Sequence, residues 1–259
     1  MSDSIKALME IIFFVLGAIV ASFVGVISGR LYTGQGFLTG RSRCDACNSS
    51  LPPSALVPVF SFLLSRGKSL CCGAKISAVS PTTEVLLGCL FVLAYINLGV
   101  TPELLLFLVS LSVLLSLVLY DLSHQILPSS LLIIFVVSSG LSRFLMSPLI
   151  SEFFHTFVTA ILIGTSLALI HYASSGRAMG LADAPLAFGL SLFVGPSALS
   201  GFIFSFWIGA IIGIAMLLHR PRGSRMGVEV PFAPYLAAGF LLAYFTQWNI
   251  FAIIEASLL

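Results

Sequence analysis

Two aspartates stand where apolar stretches of this chain begin or end. Asp183 lies in MGLADAPLAFG (179–189), at the mouth of an apolar segment that follows a Gly-Leu-Ala turn, and Asp121 lies in VLYDLSHQILP, at the end of an earlier apolar run. An ionisable group at such a place needs water, a partner or a task, and a functional role is the default reading. Two carboxylates held within a few ångströms cannot both ionise cheaply, so they share a proton. The anionic member then takes a proton from water while the neutral one polarises a carbonyl, which is enough to hydrolyse a peptide bond without a covalent intermediate. Two plainer readings compete: each acid caps or anchors a helix end, or the two line an ion or proton path.

The elements that must position these acids are membrane helices. Charged residues make up 8% of the chain and hydrophobic ones 58%, with 22 Phe among 259 residues, against roughly 25% charged in an ordinary soluble domain. The mean hydropathy is +1.11. Apolar runs at about 11–28, 83–98, 104–120, 127–146, 153–172, 181–194, 199–218 and 232–254 give about eight spans, so the fold class is all-α and polytopic. Asp3 and Glu10 outnumber Lys6 at the amino terminus, so the first run reads as a retained helix rather than a cleavable signal. The 181–194 run is the shortest, and Pro185 is tolerated there only near a helix start. Gly25 and Gly29 offer a close-approach face for another helix, or are ordinary lipid-facing small residues.

The basic residues orient the chain. With the amino terminus outside, Arg30, Arg41, Arg43, Arg66, Lys68, Lys75, Arg177, Arg220, Arg222 and Arg225 fall inside, ten of the twelve, and only Lys6 and Arg143 fall outside. Asp121 and Asp183 then share one depth, at the cytoplasmic ends of their helices. The net charge of +2 is a matter of topology and carries no nucleic-acid signature. Three segments follow: a first transmembrane helix (1–29), a cytoplasmic cysteine loop (30–80) and a multi-helix membrane domain carrying the aspartates (81–259).

Four of the five cysteines, Cys44, Cys47, Cys71 and Cys72, fall in that loop. Cys44 and Cys47 form a Cys-x-x-Cys pair, but Ser69 stands where a second pair would begin and Cys71 directly precedes Cys72. The four thiols read as a structural zinc site, or as reduced thiols without metal; a reducing compartment disfavours a disulfide. Cys89 reads as a packing residue.

Taken together, Asp121 with Pro128 after six intervening residues, the GLAD turn ending at Asp183, RSRCDAC, VPVFSFLLSRGKSLCCGAKIS, Glu84 and the late VPFAPYLAAG (230–239) resemble the type IV prepilin peptidases over nearly the whole chain. That family is built on the paired-aspartate plan of presenilin and signal peptide peptidase. The resemblance implies an aspartic endopeptidase of the bacterial inner membrane that cuts the short basic leader from prepilins or pseudopilins of pilus, secretion or competence systems. The cut falls after a glycine at the cytoplasmic face, and many members then N-methylate the new terminus with S-adenosylmethionine. Asp121 and Asp183 match the two catalytic aspartates. Two departures stand out: Ala182 replaces the glycine usual before the second aspartate, and Pro185 stands where a lysine is common. A transporter with paired acids and a catalytically silent scaffold are the competing readings. Glu84 helps bind substrate or methyl donor, or only anchors its helix, and of the four histidines His124 is the one placed to touch the site.

Overall fold

The computed structural model describes residues 3–31, 44, 46–50, 52, 57–177, 179–219 and 231–248. Among these, the helices are α1 (Asp3–Arg30), α2 (Phe60–Leu64), α3 (Val79–Leu98), α4 (Pro102–His124), α5 (Ser129–Met146), α6 (Ile150–Ala173), α7 (Asp183–Val194), α8 (Ala198–His219) and α9 (Ala233–Thr246). The described residues form no strand, only isolated bridge residues that include an antiparallel bridge between Lys68 and Lys75. Each of the eight apolar runs carries a helix among its described residues. Six stretches are long and apolar enough to cross a membrane: α1, α3, α4, α5, α6 and the 36 residues from Asp183 to Leu218. The chain is thus a polytopic helical membrane protein. Arg41, Arg43, Arg220, Arg222 and Arg225, and the end of the last apolar run, lie outside the described residues.

The break between α7 and α8 explains why the sixth run is short. Gly195 takes φ +68°, a left-handed conformation that glycine adopts without steric penalty, and a 3-10 turn over Gly195–Ser197 leads into α8. The Arg143 guanidinium lies where a side chain at Gly195 would go, with Cζ 2.8 Å from that Cβ position. Its charge therefore complements the carbonyl end of α7.

The chain divides into two compact units, Met1–Leu104 and Leu105–Leu259. In the first, α1 and α3 run antiparallel, since Phe13 stacks on Tyr95 at 4.7 Å while Gly17 meets Leu87 and Gly88. A Cβ at Gly17 would lie 2.8 Å from the Gly88 Cα. Small residues serve this way in membranes because apolar surface gains nothing by leaving lipid, so close backbone packing must hold helices together. At Gly25 and Gly29 nothing stands within 4 Å of an added Cβ. The close approach sits two turns earlier than that pair, which matches the plainer reading of it.

In the second unit α7 is the central element. Ten of its twelve residues are buried, as expected of a helix that is apolar all round. It packs against α5, α6 and α9, with Phe193 stacked on Phe107 at 4.2 Å. Helices α8 and α9 meet where Gly239 faces the Ser205 backbone, and the Ser205 hydroxyl donates to the Leu236 carbonyl at 3.2 Å. A Cβ at Gly239 would lie 2.6 Å from the Ser205 Cα, a backbone atom that no rotamer change can move. Gly239→Ala is therefore expected to destabilise the unit by about 1–3 kcal/mol. Thermal unfolding in detergent reads this as a lower midpoint, and an unchanged midpoint contradicts the tight crossing.

Candidate active site

Asp121 occupies the last turn of α4 and is buried. Its Oδ2 accepts a hydrogen bond from the Ala233 amide at 3.2 Å. Ala233 is the first residue of α9, where backbone N–H groups lack helical partners and the helix dipole favours negative charge. Pro234 at the next position removes one such donor. The sequence stretch VPFAPYLAAG thus supplies the amide that fixes Asp121, from 112 residues away.

Asp183 opens α7 and is also buried. Its Oδ2 accepts from the Gly180 amide at 3.1 Å, folding the carboxylate back over the turn that precedes the helix. The Ala182 departure leaves this turn unstrained, because Ala182 has φ −69° and ψ −16°, ordinary right-handed values. The carboxylates of Asp121 and Asp183 lie within electrostatic reach of each other, and the His171 ring within reach of Asp183. The fold therefore places the two acids in one neighbourhood. Each is also tied to a main-chain amide, so part of the plainer capping reading holds as well.

The histidine beside the site differs from the expected one. His124 is exposed and stacks on Tyr120 at 4.3 Å. His171, in the last turn of α6, faces the turn before Asp183 instead, with Nδ1 2.9 Å from the Met179 carbonyl. A carbonyl only accepts, so Nδ1 carries hydrogen and donates. The signal in the sequence is the short return from α6 to α7, with Gly176 at φ +75°, which brings the His171 ring to the Met179 carbonyl, four residues before Asp183.

The cysteine cluster belongs to the first unit. The Sγ atoms of Cys44, Cys47, Cys71 and Cys72 all lie within 4.8 Å of one another, with Cys44 and Cys72 3.7 Å apart and Cys47 and Cys71 3.2 Å apart. Tetrahedral zinc with Zn–S bonds of about 2.3 Å needs sulfurs roughly 3.8 Å apart, so this donor set fits a four-thiolate metal. Adjacent Cys71 and Cys72 both reach the cluster because the chain turns tightly there: the Gly73 amide donates to the Ser69 carbonyl at 2.8 Å, the Ser69 amide donates to the Ala74 carbonyl at 2.8 Å, and Gly73 has φ +70°. Ser69 is buried with its hydroxyl 3.3 Å from Cys44 Sγ and 3.0 Å from Cys71 Sγ.

The electrostatics agree with that fit. The Ser69 hydroxyl, then the Cys47 and Ala46 amides, bring the Cys44 thiol down to about 6. The Ser49 and Ser69 hydroxyls lower Cys71. At Cys72 the Ala74 amide pulls down, but Cys44, burial and the other two sulfurs push the thiol up to about 11. Four thiolates at this spacing need a cation to coexist.

Glu84 is buried in the second turn of α3, where its carboxylate accepts from the Val59 amide at 2.8 Å and the Ser80 hydroxyl at 3.2 Å. Cys89 is exposed on the face of α3.

The fold and these two clusters define the class as a multi-pass helical membrane protein with paired buried carboxylates in one unit and a thiol cluster in the other. Residues 15–98 match the family described as Bacterial Peptidase A24 N-terminal domain. Three relatives named prepilin leader peptidase/N-methyltransferase are similar over most of the chain. The one from Bacillus subtilis (strain 168) is 34% identical over 90% of this chain and 92% of its own length. That from Myxococcus xanthus (strain DK1622) is 33% identical over 83% of this chain and 65% of its own. The one from Legionella pneumophila is 31% identical over 79% and 72%. No solved structure matches the chain. The chain belongs to the prepilin leader peptidase/N-methyltransferase family.

Proposed function

We propose that this enzyme removes the leader from prepilin or pseudopilin precursors by aspartic catalysis, with Asp121 and Asp183 as the catalytic pair. The observation that carries the reading is the convergence of two buried carboxylates from α4 and α7 on one site. Sharing one proton, the pair activates water with its anionic member and holds the substrate carbonyl with its neutral one. Among the described residues, backbone amides engage Oδ2 of each aspartate, and Oδ1 is the oxygen proposed to meet water and substrate. Because the amides come from a helix start and a turn, the pair is preorganised rather than assembled on binding. The positive-inside distribution of basic residues supports a cut at the cytoplasmic face of the inner membrane, after glycine and ahead of the hydrophobic helix of the mature subunit. Incubating reconstituted enzyme with a prepilin and reading the product by mass tests the reading; an uncut prepilin contradicts it.

The path for that substrate helix is an apolar groove between α6 and α7, lined by Ile161, Gly164, Thr165, Ala168, Ala184 and Pro185. It begins at the residue after Asp183. Thr165→Trp, on the exposed side of the groove, is expected to raise KM for prepilin while leaving kcat nearly unchanged, because it removes binding common to ground and transition states. Steady-state kinetics with an unchanged KM would rule the groove out.

The cysteine cluster is proposed to hold structural zinc through Cys44, Cys47, Cys71 and Cys72. Ser69 then acts as a hydrogen-bond donor to the thiolates. Ser69→Ala is expected to weaken zinc about 10–100-fold, measured by competition with a chromogenic chelator; equal affinity would remove Ser69 from the site. Methyl transfer from S-adenosylmethionine is proposed from the family alone, and an added methyl mass on the cleaved product tests it.

A further inference from the structure

Helix α2 exposes apolar side chains that the spans do not account for. Phe60, Leu63 and Leu64 are 66%, 65% and 85% exposed, and their spacing puts them on one face. Phe62 points the other way, its ring packing under Gly67. Val57 and Leu70 add to the exposed apolar surface nearby.

The depth of this surface follows from Glu84. That residue is five positions into α3, a helix long and apolar enough to span, hence about 7.5 Å along the axis from its start. Its buried carboxylate holds the Val59 amide at 2.8 Å, immediately before α2. Val59 has φ +60°, which a β-branched residue adopts only when its surroundings force it. The α2 turn is thus pinned level with the first turns of a membrane helix.

Charge identifies what covers it. No Asp or Glu occurs from residue 46 to residue 83, while Arg66, Lys68 and Lys75 are all exposed, Lys68 and Lys75 facing each other across the bridge. Apolar side chains ringed by cations at a membrane boundary match an anionic lipid surface. A basic prepilin leader carries the same sign and is repelled.

We propose that residues 57–76 form an interfacial platform that seats Phe60, Leu63 and Leu64 at the headgroup boundary and binds anionic phospholipid through Arg66, Lys68 and Lys75. Glu84 is the positioning residue for that platform. The proposal is independent of whether Asp121 and Asp183 cleave anything.

The test uses the full chain, with Trp207→Phe and Trp248→Phe removing the native indoles and Leu64→Trp introducing one, in nanodiscs of phosphatidylcholine with or without phosphatidylglycerol. Lipids brominated near the headgroup are expected to quench the introduced indole more than lipids brominated at the chain end. Brominated phosphatidylglycerol is expected to quench in preference to brominated phosphatidylcholine, and Arg66→Gln, Lys68→Gln and Lys75→Gln each to reduce that preference about five-fold. Phe60→Trp repeats the measurement should Leu64→Trp fail to fold. Water-like emission without quenching overturns the proposal, as does a preference unchanged in the triple Gln variant. Protection that appears only when prepilin is added also overturns it, assigning the surface to the substrate.

Discussion

Replacing Asp121 or Asp183 by asparagine is expected to lower kcat/KM for prepilin cleavage by about 10³-fold or more, and replacing both to lower it no further. Asparagine keeps the size and still accepts from the Ala233 and Gly180 amides, so the caps on α9 and at the α7 turn persist and the fold is retained. On the proposed mechanism, what is lost is the shared proton. A pair that acts as one unit shows this non-additivity, because the second substitution removes nothing that still works. Two independent helix anchors would instead give small, additive changes in stability and no effect on chemistry. Kinetics on the two single variants and the double, with circular dichroism to confirm helicity, separates the cases.

Removing metal from the cysteine cluster is expected to release the segment carrying Cys44 to Ile76. Apart from the Glu84–Val59 bond that anchors α2, the described part has only the five-residue α2 itself, the Lys68–Lys75 bridge and a few turn hydrogen bonds to hold it. Structural zinc contributes about 10–16 kcal/mol in small zinc peptides, far more than those contacts supply. Chelation, or Cys47→Ser, should therefore open Arg66, Lys68 and Lys75 to trypsin, while α1 and α3, closed on each other at Gly17 and Gly88, stay protected. Equimolar zinc in the purified protein and tryptic cuts confined to that segment after chelation are the expected results. Protein that holds no zinc, and whose digestion is unaffected by chelator, would contradict the assignment.

Much of this architecture is legible in the sequence because membrane helices announce themselves by composition. All eight apolar runs carry a helix among their described residues, and the short sixth run is a helix starting at Asp183 with Pro185 in its first turn, where a missing amide does no harm. Both acids were legible for the same reason: a carboxylate at the edge of an apolar run stands out. What was hidden depends on tertiary contact. The Asp121 cap comes from α9, and no local pattern joins residues that far apart. Ala182 stands in place of the usual glycine at no steric cost because the backbone is right-handed there, which only the folded turn reveals. His124 lay nearer Asp121 in sequence but on the exposed side, whereas His171 reaches Asp183 through a reversal of the chain. Ser69 read as a missing cysteine, yet it bonds two thiols of the cluster. The Glu84–Val59 bond was invisible for the same reason, and it gives that buried acid an anchoring role.

Whether this family member cuts prepilin with its aspartate pair is decided by the mass of a cleavage product. Purified enzyme in liposomes is mixed with a prepilin whose basic leader ends in glycine before an apolar helix, and the intact mass of the product is read for wild type and for Asp183→Asn. The expected result is a wild-type product beginning at the residue after that glycine, and uncut precursor with the variant. Intact precursor with wild-type enzyme, or the same product from the folded variant, would contradict it.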